Sequence, residues 1–138
     1  MKAMPKIEKY MTTMPHTIGE DIPLAKAVDL MKEHRIRHLP VQKGGKLVGV
    51  ITDRDVKLAA SFQGLAGANE LTVADVMTAD PYKVTPDANL TDVVEMMAEH
   101  RYGCAIIEQG NGKVVGVFTA TDAMRVLAEV LKQNYRAV

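Results

Sequence analysis

Apolar residues recur along this chain with two alternating periods, and the same succession of periods is met in each half. Leu24, Ala27, Val28 and Met31 stand at i, i+3, i+4 and i+7, as do Leu90, Val93, Val94 and Met97. Each set makes one face of an amphipathic helix. Pro23 suits a first turn, and Asn89 with Asp92 three residues on has the form of a capping box. Two apolar runs of strand length follow each helix. They are His38 to Gln42 and Lys46 to Ile51, joined by Gly44-Gly45, and Cys104 to Gln109 and Lys113 to Phe118, joined by Gly110-Asn111-Gly112. A glycine-rich joint between such runs predicts a hairpin. A last helix is predicted from about Asp53 to Phe62 and from about Ala120 to Gln133. A short lead helix before Met11-Thr12 and Met77-Thr78, then an extended piece at Thr17-Ile18 and Lys83-Val84, completes each half. The order per half is β-α-β-β-α.

The halves are copies. Sliding the sequence so that Met11-Thr12 falls on Met77-Thr78 also brings Pro15 onto Pro81, Asp21 onto Asp87, and Glu33-His34-Arg35 onto Glu99-His100-Arg101. After one extra residue near Gly112, Val48-Gly49-Val50, Thr52 and Asp55 meet Val115-Gly116-Val117, Thr119 and Asp122. Residues 6–62 are read as the first repeat, 63–70 as a linker containing Gly64 and Gly67, and 71–134 as the second repeat. A single copy of about 55–60 residues is near the lower limit of a self-sufficient core. The expected fold is therefore α+β, with two repeats packed sheet to sheet under pseudo-twofold symmetry and a cleft between them. Each short extended piece is expected to add to the sheet edge of the other copy.

Composition narrows the function. The 138 residues are 47% hydrophobic but only 4% aromatic, so Val, Leu, Ile, Ala and nine Met must fill the core. Lys plus Arg and Asp plus Glu number 17 each, which gives no net field toward nucleic acid or an anionic membrane. One cysteine, Cys104, excludes an internal disulfide and suits a reducing compartment. The N-terminus lacks the apolar stretch of a secretory signal, and no run approaches membrane-spanning length. A cytoplasmic location is the expectation.

Gly49-Val50-Ile51-Thr52-Asp53-Arg54-Asp55 and Gly116-Val117-Phe118-Thr119-Ala120-Thr121-Asp122 resemble the Gly-apolar-x-Thr/Ser-x-x-Asp nucleotide motif of the cystathionine-β-synthase-type (CBS) domain family. His38-Leu39-Pro40-Val41 is similar to the apolar-Pro-Val second strand of that family, and the likeness runs from about residue 6 to 134. The resemblance implies a Bateman module, whose clefts take AMP, ADP, ATP or a related adenosyl ligand. It also implies a homodimer, a flat disk of four repeats, that controls an attached or separate partner protein.

The chemistry of these residues fits that implication. A carboxylate such as Asp55 only accepts hydrogen bonds, and a ribose offers two neighbouring hydroxyl donors. Thr52 adds a hydroxyl at the strand-to-helix joint, where unpaired backbone N–H groups attract an anion. Arg54 adds charge in the same turn, and Arg37 and His38 stand where family members line the pocket. Backbone groups of Thr17, Ile18 and His38 are candidate readers of adenine, with Pro40 as a wall. The second candidate site holds Lys83, Val84, Cys104, Ile106, Thr119, Thr121 and Asp122, with Lys83 its local positive charge. The first site is thus expected to be the more tolerant of phosphate.

Simpler readings compete. Thr-x-x-Asp before an apolar helix is also a capping box, which leaves a ligand-free dimerisation scaffold as the alternative function. His34 and His100 close helices, where positive charge is favourable, and the four histidines show no metal-ligand spacing. Cys104 reads as an inert core residue, and the stripe Met124, Leu127, Val130, Leu131 as core or dimer interface. No P-loop, Ser-His-Asp or Cys-His arrangement is present, so neither an enzyme nor a catalytic cofactor is expected.

Overall fold

The computed structural model describes residues 2–61 and 71–137. The linker predicted at residues 63–70, and Phe62 at the predicted helix end, lie outside the described residues. In chain order the elements are a 3₁₀ turn (Ile7–Lys9), β1 (Thr12–Thr13), β2 (Ile18–Gly19), α1 (Leu24–His34), β3 (His38–Lys43), β4 (Lys46–Thr52) and α2 (Asp53–Ala60). There follow α3 (Val73–Val76), β5 (Thr78–Ala79), β6 (Lys83–Val84), α4 (Leu90–His100), β7 (Cys104–Glu108), β8 (Val114–Thr119) and α5 (Ala120–Asn134). The protein is a mixed α+β chain with two four-stranded sheets.

The chain divides into two compact units. The first comprises Pro15–Pro81 with Gly112–Val114, and the second comprises Met1–Met14, Tyr82–Asn111 and Val115–Val138. The first unit holds the sheet β2-β3-β4-β5, in which β2 runs parallel to β3 and the other pairs are antiparallel. Its core gathers Ile18, Ala27, Met31, Leu39, Val41, Ile51 and Val73. The second unit holds β1-β8-β7-β6, with a core of Ile7, Leu90, Val93, Met97, Ala105, Ile107 and Phe118. Ala27, Met31, Val93 and Met97 come from the faces predicted by periodicity.

Two sequence expectations are corrected. Thr17-Ile18 and Lys83-Val84 do not add to the other copy's sheet: Ile18 pairs with Val41, and Lys83 with Ile106, each within its own copy. The segments that cross over are the ones before them. Thr12 and Thr13 pair with Val117 and Gly116, while Ala79 and Thr78 pair with Gly49 and Val50. The repeated Val-Gly-Val makes this approach possible. A Cβ on Gly49 would stand 2.7 Å from Met77 Sδ and 2.8 Å from the Thr78 carbonyl oxygen, and one on Gly116 would collide with Met11 Sδ.

The second correction concerns helix starts. Pro23 and Asn89 are N-cap residues without a side-chain cap bond, so the Asn89–Asp92 capping box does not form. The crossing segments cap these helices instead. Leu24 N–H donates to the Leu71 carbonyl and Leu90 N–H to the Pro5 carbonyl, both at 2.9 Å. Lead segment and helix start thus satisfy one another's backbone, which ties each repeat to a unit built partly from the other's chain.

Candidate functional site

In each unit the second strand of the hairpin, β4 or β8, runs straight into a helix, and the joint is a complete capping box. Thr52 N–H donates to Asp55 Oδ2 at 2.9 Å, and Asp55 N–H donates to Thr52 Oγ1 at 3.1 Å. In the second unit Thr119 N–H donates to Asp122 Oδ2 at 2.9 Å, and Asp122 N–H to Thr119 Oγ1 at 3.1 Å. The preceding turn closes each joint further: Asp53 N–H donates to the Arg37 carbonyl at 2.8 Å and Ala120 N–H to the Gly103 carbonyl at 2.9 Å. The first turn of each helix therefore has at least two of its amides engaged by protein. This corrects the picture of a helix start with unpaired amides aimed at an anion. Oδ2 of each carboxylate is committed to the cap, and what remains for a ligand is Oδ1, which in Asp122 is shared with Arg125.

Of the first candidate set, His38 is the cross-strand partner of Thr52, and Pro40, fully buried, is the partner of Val50. His38, Thr52 and Asp55 are half-buried, whereas Arg37 and Arg54 are exposed. Thr17 and Ile18 belong to the edge strand and its approach. Ile18 sends its side chain into the core, which leaves its backbone as the part able to meet a ligand. Thr17 and Ile18 line an open concavity of about 460 Å³ with Glu20, Asp21 and the β3–β4 turn, and Arg37 lines another of about 430 Å³. Thr52, Arg54 and Asp55 line neither. The structure brings His38, Thr52 and Asp55 together at one end of the sheet and leaves Thr17 and Ile18 in a different hollow.

In the second set, Cys104 and Ile106 lie on the buried strand β7, and Thr119 and Asp122 form the cap. Burial pushes the Cys104 thiol up to about 12, as befits an inert core group. Thr121 is exposed, and Val84 packs against the core. Lys83 is not an unengaged cation: its Nζ lies 3.8 Å from Glu108 Oε1. The positive charge that does reach this site is Arg125, whose Nη1 stands 3.4 Å from Asp122 Oδ1. Sequence reasoning missed Arg125, although its i+3 spacing from Asp122 on a predicted helix was a readable signal. At the matching place the first repeat has Leu58.

The histidines are less scattered than their spacing suggested. His16 and His34 stack with ring centroids 3.6 Å apart, and His100 stacks on Tyr102, which in turn stacks on Tyr82. Among the described residues no group of three or more His, Cys, Asp or Glu is placed to hold a metal ion. No helix among them is long and apolar enough to cross a membrane.

Comparison with known proteins places this geometry. The sequence profile of the CBS domain matches residues 7–61 and again 73–129. The chain belongs to the CBS domain family. It is 32% identical over 120 residues to the CBS domain-containing protein YhcV of Bacillus subtilis, covering 86% of this chain and 83% of that protein. It is also 32% identical over 121 residues to the inosine-5′-monophosphate dehydrogenase of Korarchaeum cryptofilum, covering 88% of this chain but only 24% of that enzyme. A solved structure of the CBS domain pair of protein MJ0100, in complex with 5′-methylthioadenosine and S-adenosyl-L-methionine, superposes with a TM-score of 0.80 at 25% identity. That match covers 89% of this chain and 99% of MJ0100's pair.

Proposed function

We propose that this protein is a regulatory CBS pair that binds an adenosyl ligand, such as AMP, ADP, ATP or S-adenosylmethionine, at the helix joints of its two units and signals to a partner protein. One observation carries the reading. Three Thr-x-x-Asp caps exist among the described residues, and they differ in setting. Thr72–Asp75 lies at an exposed turn, whereas Thr52–Asp55 and Thr119–Asp122 are partly buried beside strand ends. A cap alone needs no such burial. Asp55 held there keeps its second oxygen for the paired hydroxyls of a ribose, and Asp122 offers one that it shares with Arg125. The adenosyl compounds in the MJ0100 complex support the ligand class.

The proposed sites are Thr17, Ile18, Arg37, His38, Pro40, Thr52, Arg54 and Asp55 in the first unit. In the second they are Lys83, Val84, Cys104, Ile106, Thr119, Thr121 and Asp122, with Arg125 added. The free-standing, non-catalytic reading is supported by the match to most of YhcV, and by a match to the dehydrogenase confined to a quarter of that enzyme. A free, buried Cys104 fits a reducing, cytoplasmic setting. Homodimerisation is supported by α5. Its Ala123 and Val126 pack on the core, while Met124, Leu127 and Leu131, at i, i+3 and i+7, stand exposed as one stripe.

The second reading is a ligand-free dimerisation scaffold, favoured by the fact that both Thr–Asp pairs already form complete, reciprocal capping boxes. Thermal unfolding with AMP, ADP, ATP and S-adenosylmethionine separates the two. Ligand at 100 times its dissociation constant stabilises the native state by about 2.7 kcal/mol under the sensor reading. No shift with any of the four supports the scaffold.

A further inference from the structure

The C-terminal end of α1 and the start of α2 border the open concavity of about 430 Å³ in the first unit. Its apolar lining is Val28, Met31, Ile36 and Val56. Lys32, Arg35 and Arg37, all exposed, stand around that lining. The one carboxylate there, Asp53, is already paired with Lys57, Nζ to Oδ2 at 2.9 Å. The backbone at Arg35 is fixed. It sits in the left-handed region at φ 53°, and both its own amide and that of Ile36 donate to the Met31 carbonyl, so its guanidinium projects from a fixed turn.

The duplication supplies an internal control. Arg101 repeats the left-handed turn of Arg35 at φ 58°, so that arginine by itself is a feature of the helix end. Val28 and Met31 also recur, as Val94 and Met97, but the rest of the hollow is not repeated. Lys32 becomes Ala98, Arg37 becomes Gly103, Val56 becomes Ala123, and Ile36 becomes Tyr102, which is occupied in stacking on Tyr82 and His100. Shape common to both repeats would follow from the fold. A three-cation rim over an apolar floor in one copy calls for another reason.

We propose that this hollow, which borders the adenosyl site at Arg37, is a second binding site, for a small phosphomonoester carrying an apolar skeleton. A dianionic phosphate suits two guanidinium forks and an ammonium, since charge-assisted bidentate bonds are the strong ones. The skeleton covers Val28, Met31 and Val56, and the volume falls within the roughly 300–1,000 Å³ of small-molecule sites. The hollow shares Arg37 with the proposed adenosyl site, but Lys32, Arg35 and the apolar floor take no part in the Thr52–Asp55 joint, so the proposal does not rest on the adenosyl reading.

Phenyl phosphate, inorganic phosphate and phenol are suitable probes in an NMR titration of the whole chain. Phenyl phosphate shifts the Met31 methyl and the Ile36 and Val56 amides saturably. Inorganic phosphate and phenol each bind at least about tenfold more weakly, because each lacks one half of the recognition. Lys32→Glu and Arg35→Asn, the latter tolerant of the left-handed turn, each weaken phenyl phosphate by about tenfold or more. Arg101→Asn and Asp55→Asn leave it unchanged. Equal binding by wild type and both rim variants overturns the proposal, as does equal binding of inorganic and phenyl phosphate. Saturable shifts confined to the Thr52–Asp55 joint also overturn it, while leaving the adenosyl reading standing.

Discussion

Thr52 and Asp55 cap each other, each backbone amide donating to the other's side chain, and Thr119 and Asp122 repeat the arrangement with the same distances. Removing one side of such a box leaves an amide without its partner. Thr52→Ala and Thr119→Ala are each expected to cost about 1 kcal/mol, and the corresponding Ser variants most of that less. Urea denaturation reads the difference as a shifted midpoint at unchanged slope.

Gly49 and Gly116 are the places where the crossing strands come closest. Gly49→Ala puts a methyl within 2.8 Å of the Thr78 carbonyl oxygen, a backbone atom that cannot turn aside. A loss of about 1–3 kcal/mol is expected. Gly44→Ala offers the contrast, since a Cβ there meets nothing within 4 Å and only its φ of 58° opposes the change. Thermal denaturation of the two variants ranks Gly49→Ala as the more damaging.

Cys104 ties stability to alkaline pH. Burial raises the thiol from its ordinary value near 9 to about 12, so the folded protein keeps a proton that the unfolded chain gives up. The stabilisation is present in full below pH 9 and is lost as pH rises toward 12. Cys104→Ala is therefore expected to lose less stability between pH 7 and pH 10 than wild type does. The native thiol is also expected to react with a disulfide reagent at pH 8 only after denaturant is added.

The outward stripe of α5 carries the dimer proposal. Leu127 is 49% exposed and Leu131 45%, on a helix with no buried residue. Leu127→Glu is expected to give a monomer with unchanged helix content. Light scattering after size exclusion provides the mass, and a dimeric Leu127→Glu protein would remove α5 from the interface.

The long elements were legible because periodicity reports burial directly: Ala27, Met31, Val93 and Met97 are core residues as well as pattern residues. Of the two-residue strands, β2 and β6 were read as extended pieces but given the wrong partners. Strands β1 and β5 were not read, since a pair such as Thr12–Thr13 is too short to show any period and pairs with a strand far along the chain. The signal that did exist was the repeated glycine between valines, Gly49 and Gly116, matched by repeated Met11 and Met77. It marks a close approach, and only coordinates say by what. The Thr-x-x-Asp joints were legible as local geometry, because a capping box spans four residues. The His16–His34 and Tyr82–Tyr102 stacks were not, since each brings together rings from separate elements. Arg125 was within reach of sequence reasoning, one helical turn beyond Asp122.

Asp55→Asn isolates the central claim, because an asparagine oxygen can still accept the Thr52 amide while its nitrogen faces a ribose with a donor in place of an acceptor. Calorimetry of S-adenosylmethionine and AMP against wild type, Asp55→Asn and Asp122→Asn reads the two joints separately. The account predicts that each substitution weakens or abolishes one binding event, by about 30-fold or more where it is measurable, with unfolding midpoints nearly unchanged. Full-affinity binding in the Asp55→Asn, Asp122→Asn double variant would contradict it.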